Sequence, residues 1–294
     1  MIAKKLAALL CGVLTWLSAS ACTADPAQKP DNAPNVTGNV TGNVTVTALD
    51  VGKADALIVQ TQNTVTVIDT GNKGDGKKIE KFLTKQGIDT VDTLIITHFD
   101  KDHVGGAARL VNRMKIGTIY VPDYTSESEE YAGFLEKVQE SGSSLSVLAA
   151  KEKTEWQADD AAMSLYASEK TEYGKKEEND FSLALYMQHG ENTFLFSGDA
   201  ENARMQEIIG LHLGEVDFLK FPYHGNYLAS TEAFLDACNP KVSIVCCSEK
   251  EYADPSTVAS LEKRGTESYY TCGGNVTVVS DGKTLQSSQD TEEE

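Results

Sequence analysis

The stretch "LIITHFDKDHVGG", residues 94–106, decides how this chain is read. It opens as an apolar, β-branched run of the kind that forms a buried strand, then places His98, Asp100, Asp102 and His103 within six consecutive positions. Imidazole and carboxylate groups are common ligands of divalent cations, so their crowding onto one loop at a strand end predicts a metal site. Other strand-like runs end on the same residue types. "TVTVIDTG" (64–71) delivers Asp69, "TFLFSGDA" (193–200) delivers Asp199, and "DFLKFPYHG" (217–225) delivers His224. Strand ends that carry such residues can converge on one edge of a sheet.

The runs "VTVTALDVG", "ADALIVQT" and "TVTVIDTG" predict a β-meander from residue 44. A helix fits "GKKIEKFLTKQG", where Ile79, Phe82 and Leu83 share a face, and the strand "VDTLIITH" follows. After "IGTIYVP", Ser126 and Glu129 read as a capping box for a helix that carries Tyr131, Phe134, Leu135 and Val138 on one face and stops at Gly142. Strands are expected at "SLSVLA", "AMSLYA", "FSLALYMQ" and "TFLFSG", the last two joined as a hairpin through "HGEN". There follow a helix at "NARMQEIIGLHL", a strand at "VDFLKFP", a helix at "STEAFLDACN", a strand at "KVSIVCC", a helix at "PSTVASLEKRG" capped by Asp254, and a closing hairpin "ESYYTCGGNVTVVSDG". Strands and helices thus alternate in two blocks, each burying a sheet under helices on one side. The fold class is α/β, a four-layer αββα sandwich with the sheets packed face to face. His189 in the hairpin turn and His212 in a helix are expected to be exposed, replaceable and without function.

The 294 residues are expected to divide into four parts. Residues 1–21 combine Lys4 and Lys5 with an apolar stretch too short to span a bilayer, which predicts a secretion signal. "ASAC" at 19–22 resembles a bacterial lipobox, with Cys22 as the lipidated residue; cleavage of a plain signal at Ala21 is the alternative. Residues 22–43, rich in Pro, Asn, Thr and Gly, read as a disordered tether. Residues 44–284 form the folded domain, and 285–294 an acidic disordered tail. Cys238, Cys246, Cys247 and Cys272 show no metal-type spacing, and a bridge from Cys238 or Cys247 to Cys272 stays open. Neighbours on a strand face opposite sides, so Cys246 or Cys247 is expected in the core.

The order "IDTG", "THFDKDHVGG", "FSGDA", "YHG" resembles the metallo-β-lactamase fold superfamily over roughly residues 44–284. More narrowly, "LDVGKADALIV", "NDFSLAL", "LFSGDA" and "GGNVTVVSDG" are similar to the extracellular hydrolase domain of ComEC-type competence proteins, a group with Asp at the position of Asp100. The resemblance implies two divalent ions, zinc or manganese. His98 and Asp100 would hold one, Asp102, His103 and His224 the other, and Asp199 would bridge them, with Asp102 and His224 closest to the chemistry. Asp69 is expected to orient the ligand loop, with direct ligation as its other role. The histidine of the family's third motif has no counterpart; Asn179 and Asp180 are the nearest candidates. Tyr223 and Asn226 stand where relatives read HHGS, Ala54 replaces a glycine, and Asp254-Pro255 replaces a His-Pro.

These features imply a metal-dependent hydrolase at the cell surface, a phosphodiesterase or ComEC-like nuclease, held to the membrane by its N-terminal lipid. A non-catalytic surface binding module of the same fold is the alternative, and hydrolysis of another ester or an amide, including a β-lactam, is a further one. The net charge is −18, and −20 once residues 1–21 are removed, because Lys4 and Lys5 leave and no acid does. Such a field disfavours extended nucleic acid and favours a small phosphoester substrate seated on the metals themselves.

Overall fold

The computed structural model describes residues 40, 42–174 and 178–290. The expected signal peptide, the Cys22 lipidation site and nearly all of the tether lie outside these residues. Among the described residues, no helix is long and apolar enough to cross a membrane.

The chain begins with β1 (Val44–Ala48), β2 (Leu57–Gln60) and β3 (Val65–Ile68), an antiparallel meander. Helix α1 (Gly76–Lys85) leads to β4 (Thr90–Ile95), the strand that ends in the ligand loop. Two short helices, α2 (Lys101–Val104) and α3 (Ala107–Arg113), then pass to β5 (Lys115–Pro122), α4 (Glu129–Ser141) and β6 (Ser144–Leu148). The second half runs β7 (Lys153–Ala158), β8 (Ala161–Tyr166), β9 (Ala184–His189), β10 (Asn192–Phe196), α5 (Asn202–Gly210), β11 (Phe218–Lys220), α6 (Thr231–Cys238), β12 (Val242–Val245), α7 (Pro255–Arg264) and β13 (Glu267–Tyr270). It closes with β14 (Val276–Ser280) and β15 (Leu285–Gln289).

Two sheets result, ordered β15-β14-β1-β2-β3-β4-β5-β6 and β13-β12-β11-β10-β9-β8-β7. Period-two alternation sorts their side chains. Leu57 and Val59 face the second sheet while Ile58 faces α1–α4; Phe194 and Phe196 meet the first sheet while Leu195 faces α5–α7. The inter-sheet core and the two sheet–helix cores make the αββα sandwich. Phe194 is fully buried in the middle layer, and truncating it to alanine would cost about 3–5 kcal/mol.

Four expectations need correction. The expected closing hairpin does not form: β13 pairs in parallel with β12 in the second sheet, while β14 crosses to pair with β1 in the first. Val276 and Val278 on alternate positions of β14 fill the inter-sheet core, a burial that pairing with the half-exposed β13 could not supply. The tail expected to be disordered from 285 instead starts with β15, held by backbone pairing to β14 and by Leu285 packed on the inter-sheet core. Strand β7 lies in a stretch between "SLSVLA" and "AMSLYA" for which no strand is expected; its charged face is solvent-exposed while Trp156 packs on the core. The cap of α4 is Ser128, whose hydroxyl accepts from Tyr131 N at 3.2 Å, rather than Ser126. Asp254 caps α7 through Ser256 N at 2.7 Å, and Gly142, at φ +72°, ends α4.

Candidate metal centre

The parallel strands β3, β4, β10, β11 and β12 end at the same edge of the sandwich, and their following loops carry the chemistry. Backbone bonds knit these loops together. Thr70 N and Oγ1 donate to His103 O at 2.8 and 2.7 Å, Gly71 N donates to Asp55 O at 2.7 Å, and Asp55 N to Asp102 O at 3.1 Å. Gly105 and Gly106 permit this approach, since a Cβ on either would lie 2.3 Å from a carbonyl oxygen, of Lys101 and of Thr70 respectively. Asp69, Tyr223 and His224 adopt left-handed backbone (φ 57°, 49° and 52°), a conformation that costs a non-glycine residue about 1–2 kcal/mol and that surrounding contacts must hold.

The side chains of His98, Asp102, His103, Asp199 and His224 meet at this edge, with Asp100 at the rim. His103 Nε2 and His224 Nε2 lie 3.2 and 2.9 Å from Asp199 Oδ2, and His224 Nε2 lies 3.2 Å from Asp102 Oδ2. The rings of His98 and His103 are 4.0 Å apart, and Asp100 Oδ2 stands 3.9 Å from His98 Nε2. One residue outside the sequence expectation joins them. Asp55, His103, Asp199 and His224 each present a ligand atom, and all four atoms fall within 4.8 Å of one another. Asp55 lies in "LDVGKADALIV", a segment that carries part of the family resemblance and so held a signal that could have pointed to it. Lys220 from β11 reaches the same point, in ion contact with Asp55 and with Nζ 3.2 Å from Asp199 Oδ1 and 2.9 Å from Gly198 O.

The remaining candidates take supporting positions. Asp69 accepts from Thr97 N (2.8 Å) and Thr97 Oγ1 (2.7 Å) and pairs with His103 Nδ1 (2.9 Å), so it holds the ring from behind. Asn179 donates to Glu201 at 2.8 Å, and Asp180 accepts from the backbone N–H of Glu201 and Arg204, both at 3.0 Å, at the start of α5. Their bonds anchor that helix. His212 is exposed, in the turn after α5. His189 is not: it is fully buried at the end of β9, with Nδ1 2.8 Å from Ser280 Oγ of β14, because the hairpin turn begins one residue later.

Histidine chemistry fits a cation. His224 Nδ1 lies 3.0 Å from Cys246 O, which can only accept, so Nδ1 carries a proton and Nε2 is turned into the cluster, where a cation could take the place of its proton. Asp69 holds His103 in the same sense. His98 Nε2 is buried without a hydrogen bond, and His103 Nε2 and His224 Nε2 face only the carboxylate oxygens of Asp199 and Asp102, a meeting of ligand-type atoms that a divalent cation would satisfy.

Electrostatics describe the same point. Burial pushes His98 down to about 3, with the His103 imidazole adding to the effect. Burial opposes charge on His103 and His224 too, but Asp199 and its neighbouring carboxylates outweigh it, raising His103 well above the usual range and His224 to about 9. Asp199 is held well below the carboxylate range despite burial by His224, His103 and Lys220, and Asp102 is likewise lowered by His224 and His103. Burial lifts Asp100 to about 6. Lys220 stays cationic because Asp55 and Asp199 overcome its burial. Without an ion, the carboxylates thus draw protons onto imidazoles that a divalent cation would otherwise use. Beside Asp100 and Asp102 an open cleft is lined by Phe99, Lys101, Ser126, Ser128 and Glu178.

Residues 49–249 match the family described as the metallo-beta-lactamase superfamily. Over 220 residues the chain is 28% identical to ComE operon protein 3 of Bacillus subtilis (strain 168), covering 68% of this chain and 28% of that protein. It is 25% identical over 205 residues to Recombination protein 2 of Haemophilus influenzae, covering 68% and 24%. The chain therefore spans about a quarter of the length of these curated relatives. Among solved structures, the metallo hydrolase Igni18 of Ignicoccus hospitalis shares the fold at TM-score 0.53 and 17% identity, covering 80% of this chain and 98% of that one. CmlA, a diiron β-hydroxylase from Streptomyces venezuelae, does so at TM-score 0.53 and 14% identity, covering 84% and 54%.

Proposed function

The chain belongs to the metallo-β-lactamase superfamily, and from that premise we propose that it is a dinuclear metal-dependent phosphodiesterase of the ComEC-like kind. The observation that carries this reading is the buried meeting of the His98, His103 and His224 rings with the carboxylates of Asp102 and Asp199. Two bound divalent ions would supply Lewis acidity and a hydroxide-like water at neutral pH. His98 and Asp100 would hold one of them, Asp102, His103 and His224 the other, with Asp199 between. The chain's own work is orientation: Asp69 fixes His103, Cys246 O fixes His224, and Lys220 holds Asp55 and Asp199 in place. The acidic rim of Asp100 and Glu178 and the net charge of −18 favour a compact phosphodiester over long duplex nucleic acid. Relatives named for competence and recombination support this class over a β-lactam substrate.

The test is turnover of bis-p-nitrophenyl phosphate by protein loaded with Mn²⁺ or Zn²⁺, beside a chromogenic β-lactam and long DNA at matched ionic strength. Cleavage of the diester alone is expected. Turnover of the lactam alone, or of neither substrate by fully loaded protein, would overturn the phosphodiesterase reading. The specific observation favouring a non-catalytic binding module is Lys220, an ammonium already placed between two of the carboxylates. That module would take up little metal. We place the protein at the cell surface through a lipid on Cys22; Cys22→Ser should leave the membrane fraction, and wild-type protein wholly in the medium would remove the anchor.

A further inference from the structure

Behind His224 lies a pair of thiols that the proposed reaction does not use. Strands β12 and β13 run parallel in the register Val242↔Glu267 to Val245↔Tyr270, and just past the end of that pairing stand Cys247 and, in the short 3-10 turn Thr271–Gly273, Cys272. Adjacent strands lie about 4.8 Å apart, within the backbone span a disulfide bridges. The two Sγ atoms are 3.8 Å apart, with both thiols free. Thr271 Oγ1 keeps the register by accepting from Cys247 N at 3.1 Å. The pair is asymmetric. Cys247 is fully buried and its thiol is pushed up to about 12 by that burial, whereas Cys272 is partly exposed on an open cleft with Asp50, Gly52, Ser248 and Lys250. Cys246 and Cys247 face opposite sides, in the inter-sheet core and the helix-side core, so only Cys247 can meet Cys272.

We propose that Cys247 and Cys272 are a cross-linking site, closed by exchange with a small disulfide in solution, that fastens the β13–β14 corner to the end of the strand seating His224. The Cys272 thiolate attacks one sulfur of the small disulfide, breaking its S–S bond; the thiolate released takes up the proton that Cys272 gave. Cys247, giving its proton to the second leaving thiolate, then attacks the Cys272 sulfur. Two protein thiols become one disulfide as one small disulfide becomes two thiols. The link lands one residue beyond Cys246, whose carbonyl accepts from His224 Nδ1 at 3.0 Å.

The experiment incubates the full chain with oxidised glutathione, blocks remaining thiols with N-ethylmaleimide after denaturation, and maps cysteine peptides by mass. The expected product joins the peptides of Cys247 and Cys272, and the thermal midpoint rises by roughly 5–10 °C, reversibly with dithiothreitol. Cys247→Ser should trap a stable glutathione adduct on Cys272, and Cys272→Ser, at a partly exposed position, should give neither link nor shift. Wild-type protein that keeps glutathione on Cys272 with Cys247 still alkylatable, or leaves both thiols unreacted, overturns the proposal. So does a link from Cys272 to any other cysteine, or a cross-linked protein with an unchanged midpoint.

Discussion

His103 and His189 are both fully buried, yet they occupy opposite ends of the sandwich and opposite electrical surroundings. At the end where β3, β4, β10 and β11 stop, His103 faces Asp199, Asp69 and Asp55, which raise its pKa despite burial. At the other end His189 pairs with Ser280 Oγ, which also accepts from Asn192 Nδ2 at 2.8 Å; burial outweighs the opposing influence of the Gly42 backbone and of the Asp160 and Asp281 carboxylates, and its pKa falls. The second group ties β9 and β10 to β14 across the two sheets through Ser280, although His189 Nε2, like the Nε2 atoms of the first group, is buried without a hydrogen-bond partner. The first brings together more ligand atoms than the chain's own hydrogen bonds use. What separates a site from a polar core contact here is the set of carboxylates around the ring; burial and an Nε2 atom without a hydrogen bond are common to both.

The largest change is expected from Asp199→Ala. Asp199 faces His103, His224 and Lys220 together, so its loss should abolish diester turnover and strip metal while circular dichroism stays unchanged. Retained full activity would take Asp199 out of the site. Next comes Lys220→Met, which leaves Asp55 and Asp199 buried without their internal cation. Metal-free protein should lose about 3–5 kcal/mol in urea unfolding, and added metal should restore part of it; an unchanged midpoint would show the ion pair to be incidental. At the opposite end, His189→Ala should cost about 1–3 kcal/mol with metal content intact. Its pH signature has a definite sign. The folded-state pKa of His189 lies below the ordinary 6.5, so its stabilising effect is complete above 6.5 and fades as pH falls through the lowered value. Stability curves of wild type and variant should therefore converge in acid; a gap that widens there would contradict the neutral buried ring. The smallest effect belongs to His212→Ala, exposed beyond α5, at under about 0.5 kcal/mol by the same assay.

Much of this architecture is legible along the chain because it rests on local pattern. The apolar alternation of β1–β3 and the strand-then-loop transition at Ile95–Asp100 are visible in single segments. The edge strands β7 and β15 are not, since their side chains are largely polar and each gives the core a single large apolar contact, Trp156 and Leu285, beside backbone pairing to β8 and β14. The destination of β14 was hidden for another reason: a Gly-Gly turn reads as a hairpin, whereas it carries the chain from one sheet to the other. At the site, His98 to His103 advertise themselves by crowding. Asp55 does not; it arrives through backbone bonds to Asp102 and Gly71, contacts that no local window contains. His189 shows the converse error, where a position beside Gly190 suggested exposure and cross-sheet packing buried it.

The most direct measurement is the metal content of wild type, His103→Ala and His189→Ala, by elemental analysis after exposure to Mn²⁺ and Zn²⁺ and removal of excess. Wild type and His189→Ala should each retain about two equivalents and His103→Ala less than about half an equivalent. Less than about half an equivalent in wild type, or equal metal in all three proteins, would contradict the assignment of this end of the sandwich as a metal centre.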